Sequence, residues 1–321
     1  MRVAGQIEVK VEKIFIESPN VKRFRLVPTD EQLLPAFTGG AHIETTIQAD
    51  GLSYVRSYSL TSPPTERFYY EIAIQLDSNS RGGSAFWHQQ VELGQVLNIS
   101  FPRNNFPLSS RGRHHVFYAA GIGITPFLTM IRDLRAQDTF ELHYAAPTPN
   151  DCAFYSFLQE HYPDQCTFYF SKAEQPQRMT PSTMATHRIG THVYFCGPNQ
   201  MVKEFREAAT AFGYSNEAVH FEVFASEFEN LPKHPFTVEL AESEITLEIS
   251  EQETLLEALL KAGIDAPHAC KIGGCGSCEI DVLDGDVDHR DVFLSDENKQ
   301  NRKSILACCS RAKSEKLILN I

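Results

Sequence analysis

Apolar and polar residues alternate along the first hundred positions of the chain. QIEVKVEKIFI, VKRFRLVP, HIETTIQ, YVRSYSL, FYYEIAIQL and VLNISF each run with a period of two and are separated by turn-forming clusters. Residues two apart on a strand share a face, so each run offers one apolar side to a core. Six short strands at near-regular spacing predict an antiparallel barrel or sandwich. The pattern changes at Arg113. HHVFYAAG reads as a buried strand ending in glycine, TPFLTMIRDLRAQ has the apolar spacing of a helix, and FELHYAA is again a strand. Together they make the βαβ signature of a parallel sheet. TFYFS and HVYFCG add further buried strands, and the helical NQMVKEFREAATAFG follows the second.

After Phe224 the segment ASEFENLPKHP is polar, contains two prolines and has no period, which predicts a linker. Beyond it FTVEL and ITLEI alternate as a hairpin, followed by the helical SEQETLLEALLKAG. Ser250 and Glu253 are spaced as a capping box for that helix, and Gly263 stands where it should stop. A length of 321 residues suits two or three domains better than one. The reading is a multidomain α+β chain: an antiparallel β-barrel at 1–110, an α/β domain with a parallel sheet at 111–225, a linker at 226–234 and a C-terminal domain at 235–321.

At 42% hydrophobic and 22% charged, the composition is that of an ordinary soluble globular protein. No run approaches the roughly 18 to 20 apolar residues that span a bilayer. MRVAGQIEVKVEKIFIE alternates like a strand and lacks a signal-peptide block, so a cytoplasmic protein with no membrane partner is expected. A net charge of -12 argues against nucleic acid, since phosphate binding needs clustered Lys and Arg. From His234 onward there are 9 Lys and Arg against 17 Asp and Glu, a net of -8. This acidic region is either a docking surface for a basic partner or simply solubilising.

Eight cysteines are present, and five fall in the last 52 residues: Cys270, Cys275, Cys278, Cys308 and Cys309. CKIGGCGSC has the C-x-x-x-x-C-x-x-C spacing of a plant-type 2Fe-2S site. A loop wrapping inorganic sulfide must turn sharply and bring amides close, and Gly273, Gly274 and Gly276 permit both. Structural zinc is the competing reading. It normally takes cysteines two to four residues apart on each arm, whereas Cys308 and Cys309 are adjacent. On spacing alone the fourth ligand is Cys308 or Cys309.

Two further constellations concern nucleotides. RSYSL places Arg56, Ser57, Tyr58, Ser59 and Leu60 on a strand, and SRGGS follows at Ser80 to Ser84. Arg56 can neutralise a phosphate, while Tyr58 and Ser59 can flank an isoalloxazine ring. The amides of Gly82, Gly83 and Ser84 open the helical SAFWHQQ as an anion site. These groups provide for one phosphate, with no second site for an adenylate half. In AAGIGITPF, Gly121 and Gly123 lie between strand and helix, where a nucleotide's phosphates could approach the backbone. YFCGPNQM repeats that arrangement with Cys196, Gly197 and Pro198, so both turns should line one cleft. Cys196 then either faces a nicotinamide or is a buried structural cysteine. Lys172 follows TFYFS where a basic residue could accept a 2′-phosphate, and Glu174 stands two residues later.

The order RSYSL, RGGS, GIGITP, CGP and then the four-cysteine module resembles the ferredoxin-reductase superfamily. Within it the likeness is to the phthalate dioxygenase reductase type, which includes vanillate demethylase and carnitine monooxygenase reductases. It spans essentially the whole chain and extends to PRNNFPL and to CCSRA at the fourth cysteine. The resemblance implies a flavin-binding barrel with bound FMN, a nucleotide-binding α/β domain using NADH, with NADPH as the alternative donor, and a C-terminal β-grasp plant-type ferredoxin domain. It implies a separate Rieske-type oxygenase as electron acceptor. It implies Cys308, thirty positions beyond Cys278, as the fourth cluster ligand, with Cys309 a small buried neighbour. It also implies that Phe224 and Thr125 lie near the flavin ring, and that Ser59, Thr125, Cys196 and Phe224 surround the reacting groups. The alternatives are a stand-alone diaphorase or flavin reductase, which would leave the cluster module idle, and a redox-sensing protein.

Overall fold

The computed structural model describes residues 5–30, 32–49, 52–77, 82–224, 228, 231–301 and 303–321. The chain divides into two compact units, Met1–Phe221 and Glu222–Ile321.

In the first unit β1 (Gln6–Ser18), β2 (Val21–Pro28), β3 (His42–Ala49), β4 (Leu52–Ser59), β5 (Tyr70–Gln75) and β6 (Val96–Ser100) form one sheet in the order β4-β3-β6-β1-β2-β5. Its pairings are antiparallel, and a bridge between Leu60 and Ile72 joins the two edge strands. The sheet is therefore a closed barrel, which leaves no open edge between those strands. Alternation does what the sequence predicts: Ile7, Val9 and Val11 are buried while Glu8 and Lys10 face out. Helix α1 (Gly83–Gln89) inserts the fully buried Trp87 edge-on against Phe24, with centroids 4.8 Å apart. A side chain so buried contributes on the order of 3 to 5 kcal/mol relative to alanine.

The parallel layer of this unit comprises β7 (His114–Ala120), α2 (Thr125–Asp133), β8 (Thr139–Ala146), α3 (Tyr155–His161), β9 (Cys166–Phe170), β10 (Thr191–Cys196), α4 (Asn199–Ala211) and β11 (Val219–Glu222). The strand order is β11-β10-β7-β8-β9, with β10, β7, β8 and β9 parallel. TFYFS is half-buried rather than fully buried because β9 is an edge strand. The helix read through TPFLTMIRDLRAQ stops at Asp133, where Leu134 turns extended. Backbone amides tie the barrel to α2: Gly39 donates to Asp133 Oδ2 at 2.7 Å and Gly40 to Thr129 Oγ1 at 2.9 Å. Gly40 has φ +90°, and a Cβ there would lie 2.0 Å from the Phe106 carbonyl oxygen, so the approach requires glycine.

On one side of this sheet His192 Nδ1 lies 2.9 Å from His220 Nε2. Burial, followed by the charges that His192 and His115 would carry, pushes His220 down to about 4, and burial lowers His192 as well. A histidine whose folded pKa is depressed contributes stability that is present above its unfolded pKa and lost as pH falls through the folded one. Thermal midpoints of the wild type should therefore fall between about pH 6.5 and pH 4. His220→Gln should flatten that slope, and an unchanged profile would count against the assignment.

The second unit contains β12 (Phe236–Leu240), β13 (Ile245–Ile249), α5 (Leu255–Lys261), β14 (Glu279–Asp284), β15 (Val287–Asp288), α6 (Asp296–Asn301), β16 (Ser304–Leu306), β17 (Arg311–Ala312) and β18 (Lys316–Leu319). Its main sheet runs β13-β12-β18-β14-β16, with β12 and β18 parallel at the centre and antiparallel pairs on either side. Helix α5 buries Leu255, Leu256 and Leu259 in the same core as these strands, a β-grasp arrangement. The capping box is Thr254 with Glu257, not Ser250 with Glu253. Ser250 lies one turn earlier, and its amide donates to Glu253 Oε1 at 3.4 Å. Gly263 follows the helix with φ +81°, as a terminating glycine should.

Candidate functional site

The loop from Cys270 to Cys278 joins α5 to β14. Gly273 and Gly276 have φ of +76° and +77°, and Lys271 is also left-handed at +59°. A Cβ on Gly276 would stand 2.4 Å from the Phe293 ring, and one on Gly273 would stand 2.6 Å from Cys309 Sγ. These glycines are therefore required by both conformation and space. Amides turn inward: Gly274 N–H donates to Cys270 Sγ at 3.3 Å and Cys270 N–H to Cys275 Sγ at 3.5 Å. Ser277 Oγ lies 3.3 Å from Cys275 Sγ.

Strand β16 pairs with β14, and Ala307 N–H donates to the Cys278 carbonyl at 3.0 Å, which carries the distant cysteines to the loop. Thiol contacts join Cys270 to Cys275 and to Cys308, and Cys278 to Cys308. The Cys308 contact holds Cys278 below the ordinary thiol range, whereas the bond to Cys270, followed by burial, raises Cys275. Among the described residues Cys309 touches only Cys308 of this set, and its Sγ lies 3.8 Å from the Leu306 carbonyl oxygen. Four thiols linked in the series Cys275, Cys270, Cys308 and Cys278, with inward amides, form a donor set that fits a 2Fe-2S cluster. Arg311 of CCSRA, for which the sequence suggested no role, ties β17 to the segments on either side of the β12–β13 hairpin. It donates to the carbonyls of Glu253, His234 and Ser250 at 2.8 to 2.9 Å.

In the barrel, the period of β4 sets Arg56 and Tyr58 on one face and Ser57 and Ser59 on the other. Ser57 is exposed, whereas Ser59 and Leu60 are buried. Arg56 lies along the start of α1, where a Cβ on Gly83 would come within 3.1 Å of Arg56 Nε. Gly82 precedes that helix with φ +99°, and among the described residues no side chain caps its amides. Ser84 Oγ accepts from the Asp77 amide at 3.1 Å, leaving its own proton to donate. A guanidinium beside the uncapped amides of a helix start fits one phosphate group. Ser80 and Arg81 of SRGGS lie outside the described residues, as do 225–227, 229 and 230 of the linker segment and residue 302. Tyr58 packs edge-on to Trp87 at 5.9 Å, and burial raises its pKa above the ordinary phenol value. Trp87 escaped the sequence reading, although it is the chain's single tryptophan and lies three positions beyond Ser84.

The two glycine turns do meet. Cys196 pairs with Ala119 across the parallel ladder, and a Cβ on Gly123 would be 2.1 Å from the Cys196 carbonyl oxygen. Gly121 has φ +56°, and its carbonyl accepts from Tyr144 Oη at 3.0 Å. Pro198 caps α4 behind Gly197. Thr125 opens α2, is buried, and donates to the Ile122 carbonyl at 3.0 Å. Cys196 itself is fully buried. Phe224 belongs to the second unit and is 42% exposed. Lys172 and Glu174 are exposed beyond β9.

Three family models match in succession. An oxidoreductase FAD-binding domain matches residues 8–107, a dimethylamine monooxygenase subunit DmmA-like N-terminal domain 101–219, and a 2Fe-2S iron-sulfur cluster binding domain 238–313. The chain is 38% identical over 316 residues to the carnitine monooxygenase reductase subunit of Escherichia coli, covering 98% of each. It is 37% identical to the vanillate O-demethylase oxidoreductase of Acinetobacter baylyi, covering 98% of this chain and 99% of that one. Among solved structures it is similar to phthalate dioxygenase reductase, a modular structure for electron transfer from pyridine nucleotides to [2Fe-2S]. The TM-score is 0.75 at 32% identity, covering 99% of this chain and 98% of the other. These matches define an NAD(P)H-dependent oxidoreductase with a flavin domain and an iron-sulfur domain. The chain belongs to the phthalate dioxygenase reductase type of the ferredoxin-reductase superfamily. Among the described residues no helix is long and apolar enough to cross a membrane.

Proposed function

We propose that the chain is the reductase component of a two-component Rieske-type oxygenase, working in the cytoplasm and carrying electrons from NADH to that partner through FMN and a 2Fe-2S cluster. The division of labour is a barrel at 1–110, a nucleotide domain at 111–225, a linker at 226–234 and a ferredoxin domain at 235–321. The observation that carries the reading is the convergence of Cys270, Cys275, Cys278 and Cys308 in a chain whose barrel also places Arg56 against α1. A nicotinamide gives two electrons together and an iron-sulfur cluster takes one, and a bound flavin supplies the chemistry that joins them. The protein's own groups bind and orient. Arg56 with the Gly82, Gly83 and Ser84 amides holds a phosphate, Tyr58, Ser59 and Thr125 frame the ring, and Gly121, Gly123, Gly197 and Pro198 admit the nicotinamide nucleotide to the strand ends. No side chain is required as an acid or base. Cys196 serves the close approach of the two turns.

One phosphate site favours FMN over FAD. Denaturing the purified protein should release FMN, and Arg56→Ala should weaken its retention by roughly ten- to a hundredfold, the loss of about 1.5 to 3 kcal/mol for a charge-assisted contact. Release of FAD would overturn the cofactor assignment, and full flavin content after extensive dialysis of the variant would overturn the role of Arg56.

A further inference from the structure

A second constellation lies in the α/β layer, toward the opposite strand ends from the glycine turns. Parallel register sets His114 beside Thr139, Val116 beside Glu141 and Tyr118 beside His143. Side chains two apart on a strand share a face, so His114, Glu141 and His143 stand on the same side of the sheet. His187, just beyond the turn Pro181–Thr186, joins them. Ligand-capable atoms of His114, Glu141 and His187 all lie within 4.8 Å of one another. Glu141 Oε1 is 3.1 Å from His114 Nε2, and its other oxygen is 3.8 Å from His143 Nε2.

Each ring is anchored by a hydroxyl on one nitrogen. His114 Nδ1 meets Thr139 Oγ1 at 2.8 Å, His143 Nδ1 meets Tyr169 Oη at 2.9 Å, and His187 Nε2 meets Tyr118 Oη at 2.9 Å. Metal-ligating histidines are characteristically held this way through the outer nitrogen, and the inner nitrogen of His114 faces the Glu141 carboxylate that would join it on an ion. The independent observation is His143, which is only 8% exposed and whose Nε2 is buried with no hydrogen-bond partner among the described residues. A buried ring nitrogen without a partner is costly unless something occupies it. We propose that His114, Glu141 and His187, with His143, bind a divalent transition metal of the zinc class. Imidazoles with one carboxylate suit zinc, whose bonds of about 2.0 to 2.2 Å put tetrahedral ligand atoms about 3.4 Å apart. The His114–Glu141 pair stands at 3.1 Å, a few tenths of an ångström inside that separation, and the Glu141 side chain, 45% exposed, leaves the ion a route from solvent. Such an ion would pin the Pro181–Thr186 turn to the sheet through His187 and stabilise this layer by linkage.

The test uses the full-length protein with flavin and iron loaded, equilibrated against buffered micromolar zinc. About one zinc per chain is expected, with a nitrogen and oxygen shell by X-ray absorption. Glu141→Gln and His187→Gln should each weaken zinc binding by about tenfold or more while flavin and iron contents stay unchanged. His192→Gln, beside His220, should bind as the wild type does. No bound zinc, a sulfur-dominated shell, or unchanged affinity in both ligand variants would overturn the proposal.

Discussion

Cys308→Ser should give a protein that retains flavin but assembles almost no cluster, whereas Cys309→Ser should assemble it nearly normally. Cys308 is the distant thiol in contact with both Cys270 and Cys278. Replacing it puts a hard, mostly protonated hydroxyl where iron needs a soft thiolate. Cys309 touches Cys308 but otherwise faces the Leu306 carbonyl and the space beside Gly273, so serine there changes a neighbour of the site. Iron content and visible absorbance separate the two variants. Iron should fall from about two per chain to near zero in the first and remain close to two in the second. The reverse order would move the fourth ligand to Cys309.

The barrel strands were legible because each buries one face, and a period of two in Ile7, Val9 and Val11 can arise in few other ways. Spacing also exposed the first three cysteines, which depend on local loop geometry. It could not decide between Cys308 and Cys309, because adjacent residues differ by orientation, which the chain acquires only when β16 pairs with β14. The helix cap was misread for a related reason. Ser250 with Glu253 and Thr254 with Glu257 both fit the motif, and the fold selects the second because the helix begins at Leu255. The choice between barrel and sandwich rested on one long-range contact, the Leu60–Ile72 bridge, which no local pattern announces. The histidine constellation was invisible for the same reason. Positions 114, 141, 143 and 187 have no motif spacing, and parallel register alone gathers the strand residues.

A chain ending at Phe224 should still bind flavin and oxidise a nicotinamide nucleotide with ferricyanide as acceptor, yet lose essentially all electron delivery to the partner oxygenase. Residues of the second unit make their own core: Val238, Leu240, Leu255, Leu259, Leu306 and Leu317 are buried together. The first unit likewise keeps its two clusters, one inside the barrel around Trp87 and one around Phe117 and Phe127. Removing the C-terminal unit should therefore leave Arg56, the start of α1 and the paired glycine turns in place, since all belong to the unit that remains. Ferricyanide can take electrons directly from a reduced flavin, so it reports the first two domains alone. A one-electron partner served through the cluster has no such route once Cys270, Cys275, Cys278 and Cys308 are gone. The comparison is NADH oxidation by the full and shortened chains with each acceptor. Loss of ferricyanide activity together with flavin would show that the units do not fold separately, whereas retained oxygenase turnover would remove the cluster from the electron path.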